Sequence, residues 1–300
     1  MRTRTKLLLA FVGLVAIGIL LGVAFGSHGQ NTAYKPQNEF KLDAWVKVGP
    51  VEINKAVLYL FLAAALTTFT MTWIARRMQA KPNRVQTAVE AAYMLMRDNI
   101  TRGNMDRQMA TRWFNFIGTL FLFIWFSNMI GYLPLPTNTE EKVNIFGLEV
   151  PSLALYAATA NISTPLVLTL IVWISYHVEG IRAKGFIGYV KGWIPKGTPR
   201  GLIVLVFPIE VISQFVRIIS LSVRLFANIL AGHLLILFMG GGLVVLLNLA
   251  AVGSVILGLV TGVAAVAFFL FEIGLIATLQ AFIFATLTAI YLGESVAESH

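Results

Sequence analysis

The chain has 300 residues and no cysteine, which excludes disulfides, iron–sulfur ligation and thiol catalysis. Charge is scarce too: 12% of the residues are charged, against about a quarter in soluble domains. No metal-ligand spacing and no nucleophile–base set occurs along it, so no catalytic site, metal or other cofactor is expected. The stretch Gly192-Trp-Ile-Pro-Lys-Gly197-Thr198 mimics a phosphate loop but lacks a lysine after its last glycine and follows no strand, so it reads as a plain loop. What remains is apolar: 57% of residues are hydrophobic, gathered into runs of about 18 or more, each long enough to cross a hydrocarbon layer of about 30 Å as helix. The expected fold class is all-α, a polytopic helical membrane protein with no soluble domain left over.

The net charge of +9 sits in short segments between the apolar runs, where the positive-inside rule places it, and is read as topology rather than nucleic-acid binding. Residues 1–26 begin with Arg2, Arg4 and Lys6 and fit either an N-terminal membrane helix or a signal-like segment. Residues 27–300 form one membrane domain, with spans expected at about 55–75, 113–133 and 153–178 and a long hairpin at 202–293. Between the first two spans, residues 82–112 carry Val85, Val89, Ala92, Met96 and Ile100 at helical spacing among five arginines, the pattern of an amphipathic helix on the cytoplasmic surface. Lys and Arg of the two proposed cytoplasmic loops, 76–112 and 179–200, outnumber those of the external loops by more than two to one. The acidic loop with Glu140, Glu141 and Glu149 then falls outside.

Residues 201–293 are almost continuously apolar and accommodate either four upright helices or two long ones. A helix from Leu202 to Gly240 would measure about 58 Å, nearly twice the hydrocarbon thickness, so the expected hairpin of two long helices must lie steeply tilted or leave the core. Within this stretch stand Glu210, Gln214, Arg217, Arg224, Asn228, His233, Glu272 and Gln280. An arginine at mid-membrane costs about 2.5–3.5 kcal/mol even on the lenient insertion scale, and so requires a function. On a wheel of about 100° per residue, Glu210, Ser213, Arg217, Ser220, Arg224 and Asn228 form one narrow stripe, with His233 opposite. Such a stripe lines a water path or faces a partner of complementary charge. An antiparallel hairpin turning near Val252, beside Gly253, would bring Arg224 to Gln280 and His233 to Glu272.

The segment Ser220-Leu-Ser-Val-Arg224-Leu-Phe-Ala-Asn228-Ile-Leu-Ala-Gly232-His233 resembles the signature helix of the subunit a family of F-type ATP synthases. Leu279-Gln280-Ala-Phe-Ile-Phe284, followed by Tyr291-Leu292, resembles that family's final helix, and Phe207-Pro208-Ile-Glu210 the stretch before the signature. The resemblance implies a non-catalytic, proton-conducting stator subunit in a bacterial plasma membrane with a cytoplasmic C-terminus. Its partners would be the c-subunit ring, the b-subunit peripheral stalk, the rest of the synthase complex and the lipid bilayer. It implies that Arg224 faces the ring with Asn228 and Gln280 close by. His233 and Glu272 would line the outer half-channel, Glu210 and Ser220 the cytoplasmic one, with Arg217 and Asn161 as further candidates. Two positions depart from the family pattern. Glu272 stands eight residues before Gln280 instead of seven, so its facing differs by about 100° unless a local bulge corrects it. Thr159-Ala160-Asn161-Ile162-Ser163 resembles a Thr-Ala-Asp-x-Asn motif with asparagine at the acidic position, and Asn161 cannot serve as a carboxylate carrier.

A self-contained transporter would be expected to show internal repeats, and none is visible; a structural anchor would have no need of buried charges. The charge pattern predicts that single cysteines placed at Asn138 and Lys196 of this cysteine-free chain label from opposite faces of the membrane. An impermeant maleimide applied to sealed vesicles of either orientation checks it; labelling of both from one face would overturn the span assignment.

Overall fold

The computed structural model describes residues 42, 46–49, 51–77, 83–145, 148–194, 197–242 and 251–297; the segment 1–26 lies outside them. Two antiparallel hairpins are the strands among the described residues: β1 (Val46–Val48) with β2 (Val51–Ile53), and β3 (Leu135–Ile145) with β4 (Leu148–Ala154). The rest is helical, and five helices are long and apolar enough to cross a membrane. The chain is an all-α, multi-pass membrane protein.

Helix α1 (Lys55–Arg77) starts where the Asn54 side chain accepts from the Val57 N–H at 3.2 Å. Helix α2 (Arg84–Met94) is capped the same way, Asn83 accepting from the Gln86 N–H at 2.8 Å. It runs on through a wide π turn, Leu95–Thr101, that carries Met96 and Ile100 into the protein core. The segment expected on the membrane surface therefore rests with its C-terminal half against the bundle.

Helix α3 (Arg107–Ile130) begins at the Asp106 cap, two turns before the expected start, and ends in the Gly131–Tyr132 turn ahead of Pro134. The fourth span is corrected more strongly. Helix α4 (Ser163–Lys191) begins ten residues after Leu153, because Leu153 and Ala154 pair with Pro136 and Leu135 in the β3–β4 hairpin. Pro165 falls in the first turn of α4, where a missing N–H is tolerated. At Gly185 (φ 71, ψ 161) the backbone takes a conformation open to glycine. The chain folds back there, and the Tyr189 ring lies on Gly180 so closely that any Cβ at Gly180 would collide with it.

The C-terminal third resolves into two long helices, not four. Helix α5 (Arg200–Leu237) has 38 residues, about 57 Å at 1.5 Å per residue, and leads into a π turn, Phe238–Gly242. Helix α6 (Ala251–Phe271) continues through a π turn, Glu272–Ile276, into α7 (Ala277–Val296) without a break. Val252 and Gly253 are helical residues of α6, so the turn expected there is not centred on them. Residues 243–250 lie outside the described ones.

The core sits between α3, α4, α5 and α7 around Ile117, Ile124, Val172, Leu225, Ile229 and Phe284. Ala277, Ala281, Ala285 and Ala289 recur every four residues along α7 and are wholly buried. Between membrane helices such a ridge of small residues permits close backbone approach, which van der Waals packing then rewards. Ala285→Leu is expected to force the bundle apart at a cost of about 1–3 kcal/mol and to lower the amount of subunit in membranes. Leu279→Ala, at a position 39% exposed, should leave it near wild type; immunoblots of both variants make the comparison.

Candidate functional site

Polar side chains in the bundle gather in two places, with Arg224 between them along α5. The first is built on His233, which is 2% exposed. Its Nδ1 lies 2.9 Å from the Ile229 carbonyl and its Nε2 3.1 Å from the Gly131 carbonyl. A neutral imidazole donates to one of these, an imidazolium to both. The Tyr132 ring lies against the imidazole with centroids 4.7 Å apart, and the Tyr132 hydroxyl donates to Glu272 Oε2 at 3.0 Å. The Glu272 carboxyl rests on the Cα of Gly232, where any Cβ would collide with it. The hairpin thus brings His233 and Glu272 to adjacent levels, joined through Tyr132 rather than by a direct ion pair among the described residues.

Glu272 opens the π turn, with the Ala277 N–H bonding back five residues to the Glu272 carbonyl. A wide turn takes in one more residue than an α turn without changing which face follows it. Of the two consequences open for the eight-residue spacing, the bulge is the one realised, and it keeps Glu272 facing α5. Polar contacts hold the far side of the turn. Thr159 donates to Asn128 Oδ1 at 2.7 Å, Asn128 Nδ2 donates to the Ala277 carbonyl at 3.2 Å, and Trp125 donates to Thr278 at 3.1 Å.

The second place lies toward the other end of α5, around a cavity of about 270 Å³ lined by Glu210, Gln214, Arg217, Tyr176, Tyr291 and Glu294, among others. Gln214 donates to Glu210 at 3.2 Å and accepts from Tyr176 at 3.1 Å. Arg217 meets Glu294 at 3.0 Å, its guanidinium 4.7 Å from the Tyr291 ring centroid.

Ser220, Arg224 and Asn228 are exposed, on a face of α5 that also shows Ile212, Val216, Ile219 and Val223. The expected single stripe therefore divides: α4 and α7 draw Glu210 and Arg217 into the cavity, while Ser220, Arg224 and Asn228 are left outward. Arg224 has no hydrogen bond or ion pair among the described residues. Gln280 is buried in α7, and no hydrogen bond joins it to Arg224 among them. Asn161 is half-buried at the start of α4, where its side chain accepts from the Ser163 N–H at 3.0 Å, an Asx turn. The sequence reading missed Tyr132, Asn128 and Thr159. Signals for two of them were present, since Asn128 is a polar residue within the apolar run of α3 and Thr159 opens the Thr-Ala-Asn-Ile-Ser stretch; Tyr132 lies in a connection and carried none.

These features define a class: a multi-pass membrane protein that places ionisable side chains along a helical bundle and leaves one arginine on an open apolar face. The family model described as ATP synthase A chain matches residues 57–293. ATP synthase subunit a of Rubrobacter xylanophilus is 33% identical over 246 residues, covering 81% of this chain and 83% of that protein. The subunit a of Maricaulis maris is 33% identical over 247 residues (81% and 88%), and that of Streptococcus gordonii 30% over 259 residues (86% and 98%). The chain belongs to the ATP synthase A chain family.

Because the π turn holds one residue more than a regular turn needs, deleting the exposed Gly274 should close it to α-helix without turning Glu272 away. Proton pumping in that deletion is expected to stay within about twofold of wild type. Inserting an alanine after Gly274 instead rotates Glu272 by about 100° and should reduce pumping to background; the two variants are compared by dye quenching in inverted vesicles.

Proposed function

We propose that the chain is the proton-conducting stator subunit of an F-type ATP synthase. It forms two aqueous half-channels that load and unload a carboxylate on a rotating c-subunit ring. It carries no catalytic site, works with the b-subunit peripheral stalk and the remaining complex, and sits in a bacterial plasma membrane with its C-terminus in the cytoplasm. The observation that carries this reading is Arg224: a permanent cation at mid-helix, exposed on an apolar face and without a partner among the described residues. A bare charge in hydrocarbon is costly, so its counter-charge comes from another subunit, and the open face of α5 is where that subunit docks.

The chemistry follows from this placement. A ring carboxylate crosses the lipid-facing arc neutral and ionises where it meets an opposite charge. Arg224 supplies that charge with a guanidinium, the side chain that serves proteins as a permanent cation. The His233–Tyr132–Glu272 cluster serves the outer side, and the cavity with Glu210, Gln214 and Arg217 serves the cytoplasmic side beside the basic loops. Ser220 and Asn228 flank Arg224 on the ring-facing surface. Arg224 stands between the two polar regions and blocks direct leakage, so protons travel around on the ring. Each then delivers about 2.3 kcal/mol per 100 mV to rotation.

Arg224→Ala is expected to abolish ATP-driven pumping and ATP synthesis while the complex still assembles. Arg224→Lys should fail nearly as completely, because an ammonium is a compact point charge without the planar fork of a guanidinium. Substantial pumping by vesicles carrying either variant would remove Arg224 from the mechanism.

A further inference from the structure

The end of α3 touches both members of the outer pair with two consecutive residues. Gly131 offers its carbonyl to His233 Nε2 at 3.1 Å, and Tyr132 covers the imidazole with its ring while its hydroxyl donates to Glu272 Oε2 at 3.0 Å. This turn is fixed from behind. The Gly131 and Tyr132 N–H groups bond back to the Asn128 and Met129 carbonyls at 3.1 and 3.2 Å, and any Cβ on Gly131 would collide with Ala157. Tyr132 is 1% exposed, and Phe269 closes on its ring edge-on at 5.9 Å. A buried phenol needs a polar partner, and among the described residues Glu272 is the one this hydroxyl has.

We infer that Tyr132 is a positioning residue for proton transfer on the outer side: its hydroxyl holds the Glu272 carboxylate over Gly232, one residue from His233, and its ring holds the imidazole. The inference rests on the proton-channel reading of that cluster. A glutamate has freely turning side-chain bonds, and Glu272 stands at the head of a wide helical turn, so the backbone alone does not aim its carboxyl. The phenol does. Burial and the neighbouring Glu272 push its pKa above the ordinary phenol range, so it keeps its proton at working pH, and it bonds most strongly to the ionised carboxylate. Tyr132 thus keeps Glu272 both oriented and ready to accept a proton, and passes none itself.

The test uses the whole synthase in inverted vesicles, with pumping expressed per assembled complex. Tyr132→Phe retains the ring and removes the donor. Pumping should fall by about tenfold, and its dependence on pH at the outer face should move toward higher pH, since a carboxylate deprived of a donor favours its protonated form. In a Glu272→Gln background the same change should add nothing, because the hydroxyl acts only through that carboxylate. Unaltered rate and pH profile in Tyr132→Phe, with or without a fall in assembly, would overturn the inference, as would independent effects in the double variant. Wild-type pumping by both His233→Ala and Glu272→Gln would instead overturn the channel reading itself.

Discussion

A charge inside hydrocarbon must be answered by another group, and this single constraint organises the bundle. On the two long helices, Glu210 is answered by Gln214, Arg217 by Glu294 and the Tyr291 ring, and Glu272 by Tyr132. Each answer comes from within the chain: Gln214 meets Glu210 from the same helix, while Glu294 and Tyr132 tie Arg217 and Glu272 to a neighbouring helix or turn. Arg224 is the exception among the described residues, with apolar side chains beside it and open space before it. An isolated subunit with that surface is incomplete in lipid, and its incompleteness carries the functional reading.

The rest of the fold holds the answered charges apart. The alanine ridge of α7 brings its backbone close to the bundle, so the seam there is tightly packed. Among the described residues the ionisable groups of the long helices other than Arg224 gather above it, around His233, and below it, around the cavity at Glu210 and Arg217, while the seam itself holds neutral Gln280 and Thr288. The hydroxyls of Tyr132 and Tyr176 act alike in the two regions. Each is buried, each donates to one acceptor, and each fixes a group on a long helix that the helix itself leaves free to turn.

The π turn at Glu272 adjusts the spacing of the final helix. An extra residue in a regular helix would turn everything before it by about 100°, carrying Glu272 away from Gly232 and His233. Taking that residue into one wide turn leaves the facing intact and confines the disturbance to five residues. Asn128, Thr159 and Trp125 then pin the segment just after it, where helical bonding is least regular.

Composition and the spacing of apolar runs were enough to give the membrane class and the helical fold, because the bilayer leaves a backbone few ways to satisfy its polar groups, but they left residues 201–293 open between four upright helices and two long ones. The same spacing singled out Arg224, His233 and Glu272, since a charge amid apolar neighbours is conspicuous without any coordinates. Helix limits were less legible: Leu153 and Ala154 are apolar enough for a span, yet they pair as strand with Pro136 and Leu135, a partner seventeen or more residues away in the sequence. The wheel placed Arg217 and Arg224 on one stripe, and only the presence of Glu294 and Tyr291 on α7 decided that the first turns inward and the second outward. Tyr132 carried no pattern at all, because its importance lies in touching two residues more than a hundred positions downstream. Local periodicity fixes which residues are exceptional; what each of them meets depends on contacts between distant segments, and those exist only once the bundle has packed.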